Sequence, residues 1–214
     1  MTKKNQTPRK KPDPPSQIID TALTLAVSRG WAHLSVSDIA IAAAVPIDEA
    51  LTLFPTKRAI LDAFQGRIDQ IVVENTDLNS LDAGMRDRLF DILIRRLEAL
   101  TPWKEGIAAI TRDTLSDPLA SFHGLASLNT SMSLMAECAG LSSNGLCGQV
   151  RSNGLTVIYL LALRRWLRDS SSDIGATMAE LDQRLRTAER LWKHFPTRAR
   201  GARKTPTPQS TTND

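Results

Sequence analysis

Apolar positions recur at intervals of three and four along most of the chain, and each run is bounded by residues that stop a helix. Ile18, Ile19, Ala22, Leu25 and Ala26 mark the inner face of a helix over 16–28 that opens after Pro14-Pro15 and closes at Gly30. Ser35 is a natural N-cap, Asp38 places a carboxylate in the following first turn, and Val36, Ile39, Ala40 and Ala43 form the buried side of a short second helix. After a tight turn at Ala44–Pro46, Ile47, Ala50, Leu51 and Phe54 repeat at i, i+3, i+4 and i+7 up to Pro55. The pattern over 34–64 is a helix-turn-helix leading into a further helix. That helix runs over 56–74 on Ile60, Leu61, Phe64, Ile68, Ile71 and Val72.

Further on, the spacing predicts helices over 80–100, 104–115 and from Asp117-Pro118 to just before Gly140. The glycines and serines of 140–154 predict a loop with one short helical turn. Residues 155–168 are apolar on nearly every side, as in a helix buried between others or at a subunit interface. The last helix, over 174–195, spaces Met178, Leu181, Leu185, Ala188, Trp192 and Phe195 alternately by three and four, a seam that two copies could share as a four-helix homodimer interface. Since β-branched runs between turns are missing, the chain reads as all-α. The expected division is a disordered basic leader (1–15), a three-helix helix-turn-helix domain (16–65), a larger helical ligand-binding and dimerisation domain (66–195) and a disordered basic tail (196–214).

Charge changes this picture by its location. The net +4 resolves into +4 on 1–15, +4 on 193–214 and −4 on the body between them, and 16–70 carries four Lys/Arg against six Asp/Glu. The two cysteines, Cys138 and Cys147, form no framework and read as reduced thiols of a cytoplasmic protein. An apolar run long enough to span a membrane is missing. Ser-His-Asp, Cys-His and zinc-like spacings do not stand out, so neither an enzyme, a metal site nor a cofactor is expected. Phe122, Met132 and Met135 are the residues expected to line an apolar ligand pocket.

Two resemblances sharpen the functional reading. The stretch 18–68 is similar, without a gap, to the N-terminal domain of the TetR family of transcriptional regulators, through Ile18–Ile19, Ala22–Leu25, Gly30–Trp31, Val36–Ile39–Ala40, Ala43–Ala44–Val45, Phe54–Pro55–Thr56–Lys57 and Ile60–Leu61. This resemblance implies a dimeric DNA-binding regulator responding to a small molecule, apolar or amphipathic here. It places Ser35, Ile47, Asp48, Glu49 and Thr52 at the DNA face and Lys57 on a phosphate. The chain departs from the family's pattern at the turn, where Ala44 replaces a usual Gly, at Pro46, which replaces a capping Ser, and at Leu51, which replaces a phosphate-contacting Tyr. Leu53 likewise replaces a frequent His. Two carboxylates, Asp48 and Glu49, would face a phosphate-lined groove.

The second resemblance is C-terminal. Tyr159, Trp166, Asp169, Asp173, Thr177, Leu181–Asp182 and Leu185 look like the signature of the coenzyme-Q biosynthesis lipid-binding proteins, which share the TetR fold. It implies the alternative of a lipid-binding accessory protein without sequence-specific DNA binding. Apolar Leu191, Trp192 and Phe195 among a basic run would then touch an anionic membrane surface.

Overall fold

The computed structural model describes residues 13–76, 84–169 and 174–192. Within them are nine α-helices and no strand: α1 (Pro14–Arg29), α2 (Val36–Ala42), α3 (Ile47–Leu53), α4 (Lys57–Glu74), α5 (Met85–Leu100), α6 (Lys104–Thr114), α7 (Pro118–Cys138), α8 (Gly145–Arg168) and α9 (Gly175–Trp192), with a 3₁₀ turn at Thr101–Trp103 before α6. Residues 1–12 of the expected leader, the basic tail, Phe195 and Asp173 of the C-terminal resemblance lie outside the described residues, while Pro14 and Pro15, expected in the leader, open α1.

The local signals act as their chemistry dictates. Proline occupies the first turn of α1, where its missing N–H costs nothing, and Gly30 closes that helix at φ +79°, its N–H donating to the Ala26 carbonyl at 3.2 Å. Asp117 caps α7 by accepting from the Leu119 and Ala120 N–H groups at 2.9 and 3.1 Å.

One continuous apolar core runs from Ile18 in α1 to Trp192 in α9, so the helix-turn-helix and the C-terminal helices share a single packed interior. Helix α4 joins them without a break. A second joint lies where α6 crosses α1: a Cβ on Gly106 would stand 2.7 Å from the Leu23 carbonyl oxygen, an approach that only glycine allows. Asp113, near the end of α6, accepts the Ala32 N–H at 3.0 Å, and Arg67 of α4 pairs with Asp20 of α1 at 2.7 Å while its guanidinium stacks 4.7 Å from the Trp103 ring.

Of the loop expected over 140–154, residues 140–144 are non-helical, but 145–154 are the start of α8, a helix of 24 residues. Gly148 serves close packing, since a Cβ there would collide with the Ser143 backbone, whereas one at Gly154 would meet the Trp192 ring at an ordinary contact distance of 3.6 Å.

The α9 seam is also corrected. Leu181, Leu185, Ala188 and Trp192 are buried within the chain itself, with Met178 partly so, because α9 lays this face on its own α5 and α8. Tyr159, Trp166 and Thr177, which carried the C-terminal resemblance, are core positions of the same helix pair.

Candidate nucleic-acid interface and ligand cleft

Helix α2 starts with a reciprocal capping box. The Ser35 hydroxyl accepts from the Asp38 N–H at 3.1 Å, and the Asp38 carboxylate accepts from the Ser35 N–H at 2.9 Å. The Ser35 hydroxyl also donates to the Asp38 carboxylate, and this bond, followed by the one from the Ser35 N–H, holds the Asp38 carboxyl below its usual 3.8. The turn to α3 needs a left-handed residue and supplies Ala44 at φ +54°; the Val45 N–H closes the turn on the Ala40 carbonyl at 3.0 Å. Pro46 provides only its carbonyl, which accepts from the Ala50 N–H at 2.9 Å.

With seven residues, α3 has room for one buried contact, Ala50, supported by Phe54 just beyond it. Ile47 and Leu51, expected on the inner face, are exposed together with Leu53, and Ile41 of α2 is exposed beside them. The expected groove-facing residues Ile47, Asp48, Glu49 and Thr52 therefore share an exposed helix. Thr52 donates its hydroxyl proton to the Asp48 carbonyl at 2.8 Å, leaving its oxygen as an acceptor. The carboxylates of Asp48 and Glu49 lie in the first turn, where the helix dipole favours them. Residues 36–56 contain no Lys or Arg. Lys57 turns inward: its ammonium donates to the Trp31 carbonyl at 2.7 Å and lies 5.1 Å from the centre of the Trp31 ring, and burial pulls its pKa down. The Lys57 ammonium is thereby drawn away from the phosphate role that the resemblance implied.

The expected apolar pocket is not assembled. Met132 and Met135 are fully buried core residues, whereas Phe122 is 67% exposed with its ring edge-on to His123. The reason is helical geometry: ten residues at about 100° each carry Met132 roughly 80° around α7 from Phe122, and Met135 farther still.

A cleft of about 470 Å³ opens instead between α4 and α7. Asp62, Gln65 and Asp69 project into it from one face of α4, meeting His123, Ser127 and Ser131 of α7. Ser127 donates to Asp62 at 3.0 Å and lies 3.2 Å from the Gln65 carbonyl oxygen; the Gln65 amide donates to Ser131 at 2.9 Å, and Ser131 donates to Asp69. Behind this wall the guanidinium of Arg96, only 3% exposed, pairs with Asp69 and sits 5.5 Å from the Tyr159 ring. Burial pushes the Tyr159 phenol up, keeping it neutral. Sequence reasoning missed this network, although Arg96 stood on the apolar stripe of α5 between Leu93 and Leu97, where a charge needs a buried partner.

A second, open and mainly apolar groove of about 780 Å³ runs along the outer faces of α8 and α9, past Val157, Leu161, Ala176, Ala179, Thr187 and Leu191. Among the described residues, no group of three His, Cys, Asp or Glu is placed to hold a metal ion, and no helix is long and apolar enough to cross a membrane.

Neither a protein-family model nor a curated protein matches the sequence. Solved structures do. A TetR transcriptional regulator from Nitrosomonas europaea is similar at 25% identity over 83% of this chain and 99% of that one, with a TM-score of 0.66. A TetR transcriptional regulator from Rhodococcus sp. RHA1 superposes at 17% identity, 81% and 94% coverage and a TM-score of 0.59. The Thermus thermophilus TetR-family repressor FadR, solved in complex with lauroyl-CoA, does so at 18% identity, 91% and 98% coverage and a TM-score of 0.53. The chain thus has the all-α fold of the TetR-family transcriptional regulators, over most of its length.

Proposed function

We propose that this chain, built on the fold of the TetR-family transcriptional regulators, is a cytoplasmic, homodimeric, non-enzymatic DNA-binding regulator whose affinity for its operator is set by a small molecule. The observation that carries the reading is the exposed α3, presented on a capped α2 and packed on α1, in a chain that matches a solved regulator over 99% of that regulator's length.

In this reading α3 enters the major groove. Asp48 and Glu49 accept from cytosine amino groups, and Ile47 packs on thymine methyls. Charge for the phosphates comes from outside the helix pair, and the leader, with five Lys/Arg in its first twelve residues, supplies it directly ahead of the helix-turn-helix. A palindromic site needs two copies, and the outer α8–α9 groove offers the apolar surface to join them, Val157 and Leu191 being 55% and 61% exposed there. The experiment is selection of binding sites from a randomised duplex library by the full chain, followed by anisotropy titrations over a salt series. A recovered palindrome whose affinity falls steeply with salt is the expected result; recovery of no sequence removes the reading.

A further inference from the structure

We propose that the basic leader, residues 1–12, docks on the outer face of its own chain's α3 when DNA is absent, Lys3 and Lys4 pairing with Asp48 and Glu49 over the exposed Ile47 and Leu51. The proposal rests on the regulator reading for its consequence, a leader that competes with the operator for α3, and on the α2–α3 surface and the chain's charge for the contact itself.

The outer face of α2 and α3 is unpartnered. Ile41, Ile47, Leu51 and Leu53 are exposed on two helices of seven residues each, and residues 36–56 carry no Lys or Arg. Asp48 and Glu49 make no ion pair among the described residues. The two cations that follow α3 are committed elsewhere, Lys57 to the Trp31 carbonyl and Arg58 to Asp62 at 3.8 Å. An occupant must therefore combine cations with apolar surface. Long basic side chains supply both, since the methylene stem of a lysine lies along apolar groups while its ammonium reaches a carboxylate.

Reach selects the leader from the chain's two basic ends. Helix α3 packs on α1, which is about 24 Å long, so even from the far end of α1 the outer face of α3 stands within about 30 Å of Asp13. The chain from Lys4 to Asp13 spans about 30 Å when extended, and Lys3 stands one residue farther out. The tail departs from α9, which packs on α5 and α8. Each exposed ion pair strengthens such a contact by no more than about fivefold, so the docking is reversible. DNA phosphates, which shed condensed counterions when lysines bind them, then draw the leader off α3 and free its face for the groove.

The test uses the full-length protein without DNA, refolded from an equal mixture of isotope-labelled and unlabelled chains. Carbodiimide joins amines to carboxylates only in contact, and mass spectrometry reads the linked peptides. Linkage of Lys3 or Lys4 to Asp48 or Glu49 within one chain is expected, falling about threefold as salt screens the pairs. In methyl NMR, Lys3→Gln/Lys4→Gln should shift the signals of Ile47 and Leu51 and leave that of the core residue Ile39 in place. Linkage spread evenly over exposed carboxylates, linkage only between chains, or unmoved Ile47 and Leu51 methyls would overturn the proposal. DNA anisotropy is measured separately: a docked leader in a protein that binds no DNA supports the contact and removes the regulator reading, and the reverse result does the opposite.

Discussion

The ammonium of Lys57, in the first turn of α4, donates to the backbone carbonyl of Trp31 at 2.7 Å and lies over the Trp31 indole, tying the start of α4 to the loop between α1 and α2. Lys57→Ala should destabilise the protein by about 1–2 kcal/mol through loss of a charge-assisted bond and a cation–π contact. It should weaken DNA binding without changing the salt dependence, since the ammonium serves the fold. A fall of about 0.9 in the log–log salt slope in anisotropy titrations would instead mark a direct phosphate contact.

The capping box gives a pH dependence of known sign. Bonds from the Ser35 side chain and backbone lower the Asp38 pKa below its usual 3.8, so the ionised carboxylate stabilises α2 above that value and the benefit is lost as pH falls through the lowered pKa. In Ser35→Ala the Asp38 midpoint, followed by carboxyl-carbon NMR titration, should move up toward 3.8 and the acid-induced loss of stability should become shallower. An unmoved midpoint would count against the box.

Ala44 occupies a backbone region that costs an L-residue about 1–2 kcal/mol. Ala44→Gly should raise stability by about 0.5–1 kcal/mol after allowance for the looser unfolded chain. The check is a shifted urea midpoint at unchanged slope; a lowered midpoint would show that the turn is not strained.

Arg96 and Asp69 form a pair buried among α4, α5 and α7. Arg96→Met alone should cost about 3–5 kcal/mol by stranding a carboxylate, whereas the double variant Arg96→Met/Asp69→Leu should recover much of that loss. Denaturant melts of the four members of the cycle measure the coupling. Additive losses would show that the pair is not coupled.

The outer α8–α9 face makes a distinction that the inner seam does not. Val157→Glu/Leu191→Glu should yield a folded monomer in sedimentation at micromolar concentration, with DNA affinity reduced. Leu185→Glu should unfold the chain, because that side chain is 1% exposed in the monomer's own core. A dimer that persists in the first variant would place the interface elsewhere.

Element boundaries and caps could be read in the sequence because their causes are local. Pro14, Gly30, Ser35, Pro46, Asp117 and Gly140 act on the dihedrals and hydrogen bonds of their immediate neighbours, and the 3.6-residue period shows which stripe of each helix is apolar. The tight turn at Ala44–Pro46 and the all-α architecture follow from the same local chemistry, whereas the left-handed backbone of Ala44 does not. What an apolar stripe faces is not local. The α9 seam could as well have met a second copy as α5 and α8, and only packing assigned it to the chain's own core. Likewise, Phe122 and the two methionines looked alike in hydropathy, yet their angular positions on α7 sent one outward and two inward. Gly148 and Gly154 read as turn formers because neither the fold-back of Ser143 onto Gly148 nor the packing of Trp192 beside Gly154 shows in the hydropathy pattern. The polar cleft depended most on tertiary structure: Asp62, Gln65 and Asp69 become a site only when α7 brings Ser127 and Ser131 against them and α5 supplies Arg96 from behind. Hydrogen bonds between residues more than sixty positions apart join α4 to α7, and no periodicity along one helix encodes them.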